Sequence, residues 1–247
     1  MPFSSHATPS LAASASSVSR TRAFFLSISL LTAAIISAPV SANTKMLPEA
    51  PAPVVNSDNH ILNARDVQII FVDLQPELIK GSRTVKPEAL AGNAAVLAKV
   101  ASLTHVPVTF SIVPVQGEAG HNIPELNQYV TVNNTVPRVM AGTFMEPRLV
   151  SALASHHRKT LVIAGFATEV AVLQTALDAR KAGYTVYVAV DATGSRSDRT
   201  ESAAMHQMEM AGAIPTSVLA VAAQLAPDFS KKPGSDVLAT FDSLSPP

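Results

Sequence analysis

Short, nearly continuous apolar runs, separated by segments with helical spacing, limit this chain to few folds. Val67-Gln68-Ile69-Ile70-Phe71-Val72 has strand length and no polar face, as expected of a strand buried on both sides of a parallel sheet. Pro87 then opens a helical pattern in which Leu90, Val96, Leu97 and Val100 share a face. Residues 106–113 (VPVTFSIV) read as the next strand, 145–155 as a helix and 160–164 (TLVIA) as a strand. A helix begins at Glu169 and ends at Gly183, where glycine suits the residue after a helix because it tolerates positive φ. Residues 184–190 form another strand and 200–211 a helix closed by Gly212. Residues 214–218 form a last strand before an alanine-rich helix. This alternation predicts a three-layer α/β/α domain around a doubly wound, mainly parallel sheet.

The flanks differ in character. Arg20 and Arg22 precede the apolar stretch AFFLSISLLTAAII at 23–36, and Val40-Ser41-Ala42 supplies the small residues of a cleavage site. Residues 1–42 are therefore expected to be a signal peptide, directing the protein to the periplasm or outside the cell. An uncleaved anchor is the alternative, but an apolar core of about 14 residues is shorter than the ~20 a spanning helix needs. Residues 43–65, with Pro48, Pro51 and Pro53, read as a linker or surface arm. Residues 66–226 read as the domain, and 227–247 as a disordered tail.

Composition narrows the function. The chain has 247 residues, 47% of them hydrophobic, which is ample for one core. Lys plus Arg total 18 and Asp plus Glu total 18, so no net field draws nucleic acid or an anionic membrane. Tryptophan is absent and tyrosines number 3, so no basic patch carries interleaved aromatics, and nucleic acid is not an expected partner. Cysteine is absent, which leaves an exported chain without disulfides and dependent on its core.

In doubly wound sheets ligands bind beyond the carboxyl ends of the strands. Asp73 with Gln75 falls there in FVDLQ, and Thr168 with Glu169 falls there in GFATEVAVL. Asp is also common as a turn or cap residue at strand ends. FVDLQ, AGFATEVAVLQTALDARKAGYTVYVAVDATGSR and RTESAAMHQMEMAGA together resemble the isochorismatase-like cysteine hydrolases, in particular their YcaC-like branch, over roughly residues 66–222. Members of that family use an Asp, a Lys and a Cys. The resemblance implies that Asp73 is the Asp, that Arg138 stands at the Lys position and that Ala171 stands where the nucleophile belongs. It also marks Gln75, Phe144, Thr168, Glu169 and Val170 as substrate-binding candidates, with Thr168 equally readable as a cap or turn former. No cofactor is expected, a small molecule is the expected ligand, and kinship implies a homo-oligomer.

Two departures from the family pattern bear on chemistry. Alanine cannot attack a carbonyl, so the thiol mechanism is excluded. A guanidinium stays protonated and cannot shuttle a proton as an amine can. Three readings follow: a family hydrolase of undefined substrate, a noncatalytic ligand-binding or assembly protein, and an Asp73-dependent vinyl ether hydrolase of the true isochorismatase type. If Arg138 pairs with Asp73, the carboxylate should stay ionised and act poorly as an acid. Ser195 and Ser197 read as turn formers. The nicotinamidase branch places an Asp-x-His metal pattern where this chain has Ser111-Ile112-Val113-Pro114. His121 lacks a partner, and the adjacent His156 and His157 point in different directions and read as solvated, so no metal is expected. The mature protein should begin at or near Asn43, to be checked by mass spectrometry of material from its native compartment; an intact 1–42 segment there would overturn the export reading.

Overall fold

The computed structural model describes residues 61–246. The expected signal peptide and most of the 43–65 arm lie outside them. The described chain folds around a six-stranded, all-parallel sheet: β1 (Val67–Val72), β2 (Val108–Ile112), β3 (Thr135–Pro137), β4 (Thr160–Phe166), β5 (Thr185–Gly194) and β6 (Ile214–Thr216). The spatial order β3-β2-β1-β4-β5-β6 reverses direction between β1 and β4. That boundary is a topological switch point, where the connections leave to opposite sides and open a crevice at the strand ends.

Alternation along the central strands sorts side chains between two cores. Ile69, Phe71, Val162 and Ala164 face one cluster. There α2 (Pro87–Leu103) contributes Leu90 and Leu97, and α6 (Val218–Leu225) contributes Val218 and Val221. Ile70, Val72, Leu161 and Ile163 face the other. Its helical side comes from Leu149 and Leu153 of α3 (Pro147–Ser155), Ala176 of α4 (Leu173–Lys181) and Met208 of α5 (Asp198–Met210). Both faces of β1 and β4 are thus covered, which is why those strands read as unbroken apolar runs. Phe71 and Phe110 stack at 5.2 Å across β1 and β2.

The expected α/β/α class is the observed one, with differences at the edges. The helix expected from Glu169 starts as one π-helical turn, Thr168–Val172, and becomes α-helical only at Leu173. Gly183 and Gly212 follow their helices at φ +87° and +83°, as their positions imply. The strand β3 and the short α1 (Pro76–Ile79) carry no periodic signal, since three and four residues are too few to show one.

The tail is a correction: residues 227–246 are folded, with α7 (Gly234–Leu238) packed on the domain. Val237 is fully buried, Phe229 and Phe241 meet edge to face at 5.8 Å, and Asn93 of α2 bonds Ser245 through both its amide nitrogen and oxygen. Proline, glycine and serine mask the few apolar residues that dock it. The arm also ends inside the domain, because Leu62 is buried and its N–H donates to Gln224 Oε1 at 2.9 Å. Val237→Ala should lower stability by about 2 kcal/mol in a denaturant titration; a disordered tail would leave the midpoint unchanged.

Candidate active site

The carboxyl edge at the switch point is built by the ends of β1, β2, β3 and β4. Asp73 follows the last residue of β1 in the left-handed region, φ 55°, and its N–H donates to the Ser111 carbonyl of β2 at 2.9 Å. Asp and Asn tolerate that conformation better than most side chains. Arg138 directly follows β3, and its N–H donates to the Ile112 carbonyl at 2.9 Å. Asp73 and Arg138, 65 residues apart, are thereby brought together: Arg138 Nη2 donates to Asp73 Oδ2 at 2.6 Å, with 6% and 3% of the two residues exposed. The guanidinium also donates through Nε to Ser111 Oγ at 2.9 Å and through Nη1 to the Met140 carbonyl.

Asp73 keeps one oxygen free. Its Oδ1 is buried and has no hydrogen-bond partner in the protein. Burial pushes the Asp73 carboxyl up to about 6, against the opposing charge and hydrogen bond of Arg138. Arg138 does not hold this carboxyl below the ordinary carboxylate range, because desolvation outweighs the pair, and the group is still mostly ionised at neutral pH. A carboxyl of this kind is protonated in part at mildly acid pH and can give up its proton near neutrality.

Ala171 lies in the π-helical turn that follows β4 and is buried in the same apolar cluster as Val72 and Val136, the neighbours of Asp73 and of the Arg138 strand. The position that the family resemblance assigns to a nucleophile carries a methyl group. The Phe166–Ala167 peptide leading into the turn is cis.

The remaining candidates are mostly committed elsewhere. Gln75 is fully buried, but its amide exchanges two hydrogen bonds with the Val113 backbone, at 2.9 and 2.8 Å, and so pins the loop after β2. Phe144 packs edge to face on Tyr184 at 6.0 Å. Tyr184 directly precedes β5, and Thr143, the neighbour of Phe144, bonds Thr175 of α4 at 2.9 Å. Thr168 does not cap the helix; its hydroxyl donates to Glu201 Oε1 on α5 at 2.7 Å. Glu169 accepts from Ser195 at 2.6 Å and from Thr200 at 3.2 Å, bracing the loop between β5 and α5. Val170 is half exposed at 50%. His156 is not solvated as expected: it is half-buried, its Nε2 lies 3.2 Å from Thr109 Oγ1, and burial lowers its pKa. Among the described residues no three His, Asp or Glu side chains gather in a metal-binding arrangement.

With this geometry in place, comparison with known proteins is informative. The isochorismatase domain family matches residues 67–219. YcaC of Escherichia coli, named a probable hydrolase, is 28% identical over 169 residues, which is 68% of this chain and 81% of that one. The secreted isochorismatase effector Isc1 of Phytophthora sojae is 29% identical over 169 residues, covering 65% of this chain and 77% of the effector. Among solved structures, YcaC of Pseudomonas aeruginosa, with hexane-2,5-diol and covalent acrylamide, superposes with a TM-score of 0.70 at 26% identity. The match covers 75% of this chain and 92% of that one. Escherichia coli YcaC, described as an octameric hydrolase of unknown specificity, gives the same TM-score and identity over 75% and 91%.

The raised Asp73 pKa has a measurable consequence. A carboxyl titrating at about 6 when folded and near 3.8 when unfolded favours the native state below pH 3.8, and this contribution is lost as pH rises through 6. Against Asp73→Asn, which cannot titrate, wild-type protein should lose about 2 kcal/mol of relative stability between pH 4 and pH 7 in denaturant titrations. A flat difference would place the Asp73 pKa at its ordinary value.

Proposed function

The chain belongs to the isochorismatase family of hydrolases, and on that footing we propose that it hydrolyses a small molecule without a covalent thiol step, Asp73 moving the proton. One observation carries the reading: a buried carboxyl with a raised pKa whose second oxygen, Oδ1, has no hydrogen-bond partner in the protein. A covalent adduct such as the acrylamide of Pseudomonas aeruginosa YcaC needs a nucleophile, and this chain has no cysteine to supply one. The bonds open to such a site are those whose cleavage is limited by protonation. For an enol ether, the Asp73 carboxyl delivers its proton to the terminal carbon, leaving an oxocarbenium ion. Water adds to that ion, and the adduct breaks to a carbonyl compound and an alcohol while its proton returns to Asp73. Arg138 holds the carboxyl in place throughout and stays charged.

A second reading, a binding protein without catalysis, draws support from the same ion pair. The guanidinium spends hydrogen bonds on Asp73, Ser111 and the Met140 carbonyl, as a purely structural arginine would. In either case we place the protein outside the cytoplasm, on the strength of its 23–42 segment and the secreted Phytophthora relative. We also read it as a homo-oligomer, supported by the octamer of Escherichia coli YcaC and by exposed Val132, Val139 and Met145.

The hydrolase reading predicts turnover of an enol ether such as isochorismate that falls about 100-fold in Asp73→Asn and declines in wild type as pH rises through about 6. Intact-mass analysis during turnover should show no acyl-enzyme. Absence of turnover across enol ethers, amides and esters would leave the binding reading, and equal turnover by Asp73→Asn would remove Asp73 from the chemistry.

A further inference from the structure

The strand β2, VTFSI, carries a fully buried serine at 111, which the register sets beside Val72 of β1. Val72 belongs to the apolar cluster on that face, so an aliphatic residue would suit the position. A buried hydroxyl needs a hydrogen-bond partner to offset its lost hydration. The Ser111 hydroxyl has one in Arg138, whose Nε donates to its Oγ at 2.9 Å. The backbone of the same residue holds the other half of the ion pair, its carbonyl accepting from the Asp73 N–H at 2.9 Å. Ser111 thus touches both members of the pair.

On a guanidinium the Nε and Nη2 hydrogens lie parallel along one edge, and a carboxylate that meets this edge squarely takes both bonds. In Arg138 the edge is divided. Nη2 donates to Asp73 Oδ2 at 2.6 Å, Nε is taken by Ser111, and Nη1 is held by the Met140 carbonyl. Asp73 therefore receives one bond where two could form, and its Oδ1 is left buried without a partner in the protein. Arg138 is the charged group that acts on Asp73. The side chains beside it on the adjoining strands, Val72 of β1, Ser111 of β2 and Val136 of β3, carry no charge. A second bond from this guanidinium would favour the ionised carboxylate further.

We propose that Ser111 is a positioning residue for the chemistry at Asp73: by occupying Nε of Arg138 it stops the guanidinium from clasping both carboxylate oxygens, and it leaves Oδ1 as the oxygen that carries the proton. The inference deepens the hydrolase reading and rests on it for its catalytic consequence, but the division of the guanidinium can be tested without turnover. Once the hydroxyl is removed, Nε loses its acceptor, and a turn about the Nη2–Oδ2 bond brings it to Oδ1. Asp73 is then held by two charge-assisted bonds, which favour its ionised form and make it a poorer acid near neutral pH. Threonine at 111 keeps both the hydroxyl and a side chain suited to a strand, so it keeps the division.

The test follows the Asp73 carboxyl carbon by NMR as the isotope-labelled full chain is titrated with acid, with Asp73→Asn to identify the signal. The wild-type inflection is expected at about 6. In Ser111→Ala it should fall by about one pH unit or more, the scale of an added contact with an opposite charge, and the pH profile of any enol ether hydrolysis should move down with it. Ser111→Thr should hold the wild-type inflection. In an Arg138→Lys background, where the ammonium has no parallel pair of donors, Ser111→Ala should barely move it. A merely structural serine predicts a lower thermal midpoint in Ser111→Ala with the inflection unmoved. An inflection in Ser111→Ala at or above the wild-type value overturns the proposal, as does a wild-type carboxyl that titrates near 3.8. Ser111→Gly supplies a second variant without the hydroxyl, and failure of both to fold makes the serine structural and overturns the proposal too. A lowered inflection in a protein that hydrolyses no enol ether keeps the division of the guanidinium and counts against the hydrolase reading alone.

Discussion

Burying a guanidinium is among the most expensive things a fold can do, and the carboxyl edge of this sheet is arranged around meeting that cost. Arg138 can be 3% exposed only because its donors reach Asp73 at the end of β1, Ser111 in β2 and a carbonyl two residues beyond itself. These bonds draw three strand ends together at the point where the sheet reverses its winding. They also leave Asp73 half satisfied, with one oxygen on the guanidinium and the other facing no partner. In a low-dielectric setting an unpaired acceptor raises the cost of the ionised form, which is consistent with a pKa near 6 despite the adjacent charge.

A second set of polar contacts closes the other side of the crevice. Thr168 reaches Glu201 and Glu169 reaches Ser195 and Thr200, so the turn after β4 is tied to the start of α5 rather than left free for a ligand. With those side chains occupied, the Asp73 carboxyl keeps one unpartnered oxygen at the strand ends. With alanine at 171 and no cysteine in the sequence, the proposed chemistry is acid–base and falls to Asp73. Gly165 makes the close strand contact beneath the site possible, because a Cβ there would fall 2.4 Å from the Val72 carbonyl oxygen.

Periodicity alone placed the central strands and helices, because residues buried on both faces must be apolar throughout and helices that cover them must be apolar on one side. Motif resemblance placed Asp73, Arg138 and Ala171 in a single site. What could not be read was direction. Gln75 and Phe144 occupy plausible positions in the chain, yet one turns to the Val113 backbone and the other packs its ring on Tyr184.

The sequence by itself determined the layered α/β class and the absence of any cysteine thiol, since these depend on local period and on which atoms are present. Tertiary structure alone decided that residues 227–246 fold, that Glu169 and Thr168 bond to groups on and before α5, and that burial raises the Asp73 pKa. Each of those outcomes depends on how far water is excluded and on which distant group fills the remaining hydrogen bond, and both are set only when the strands and helices close on one another.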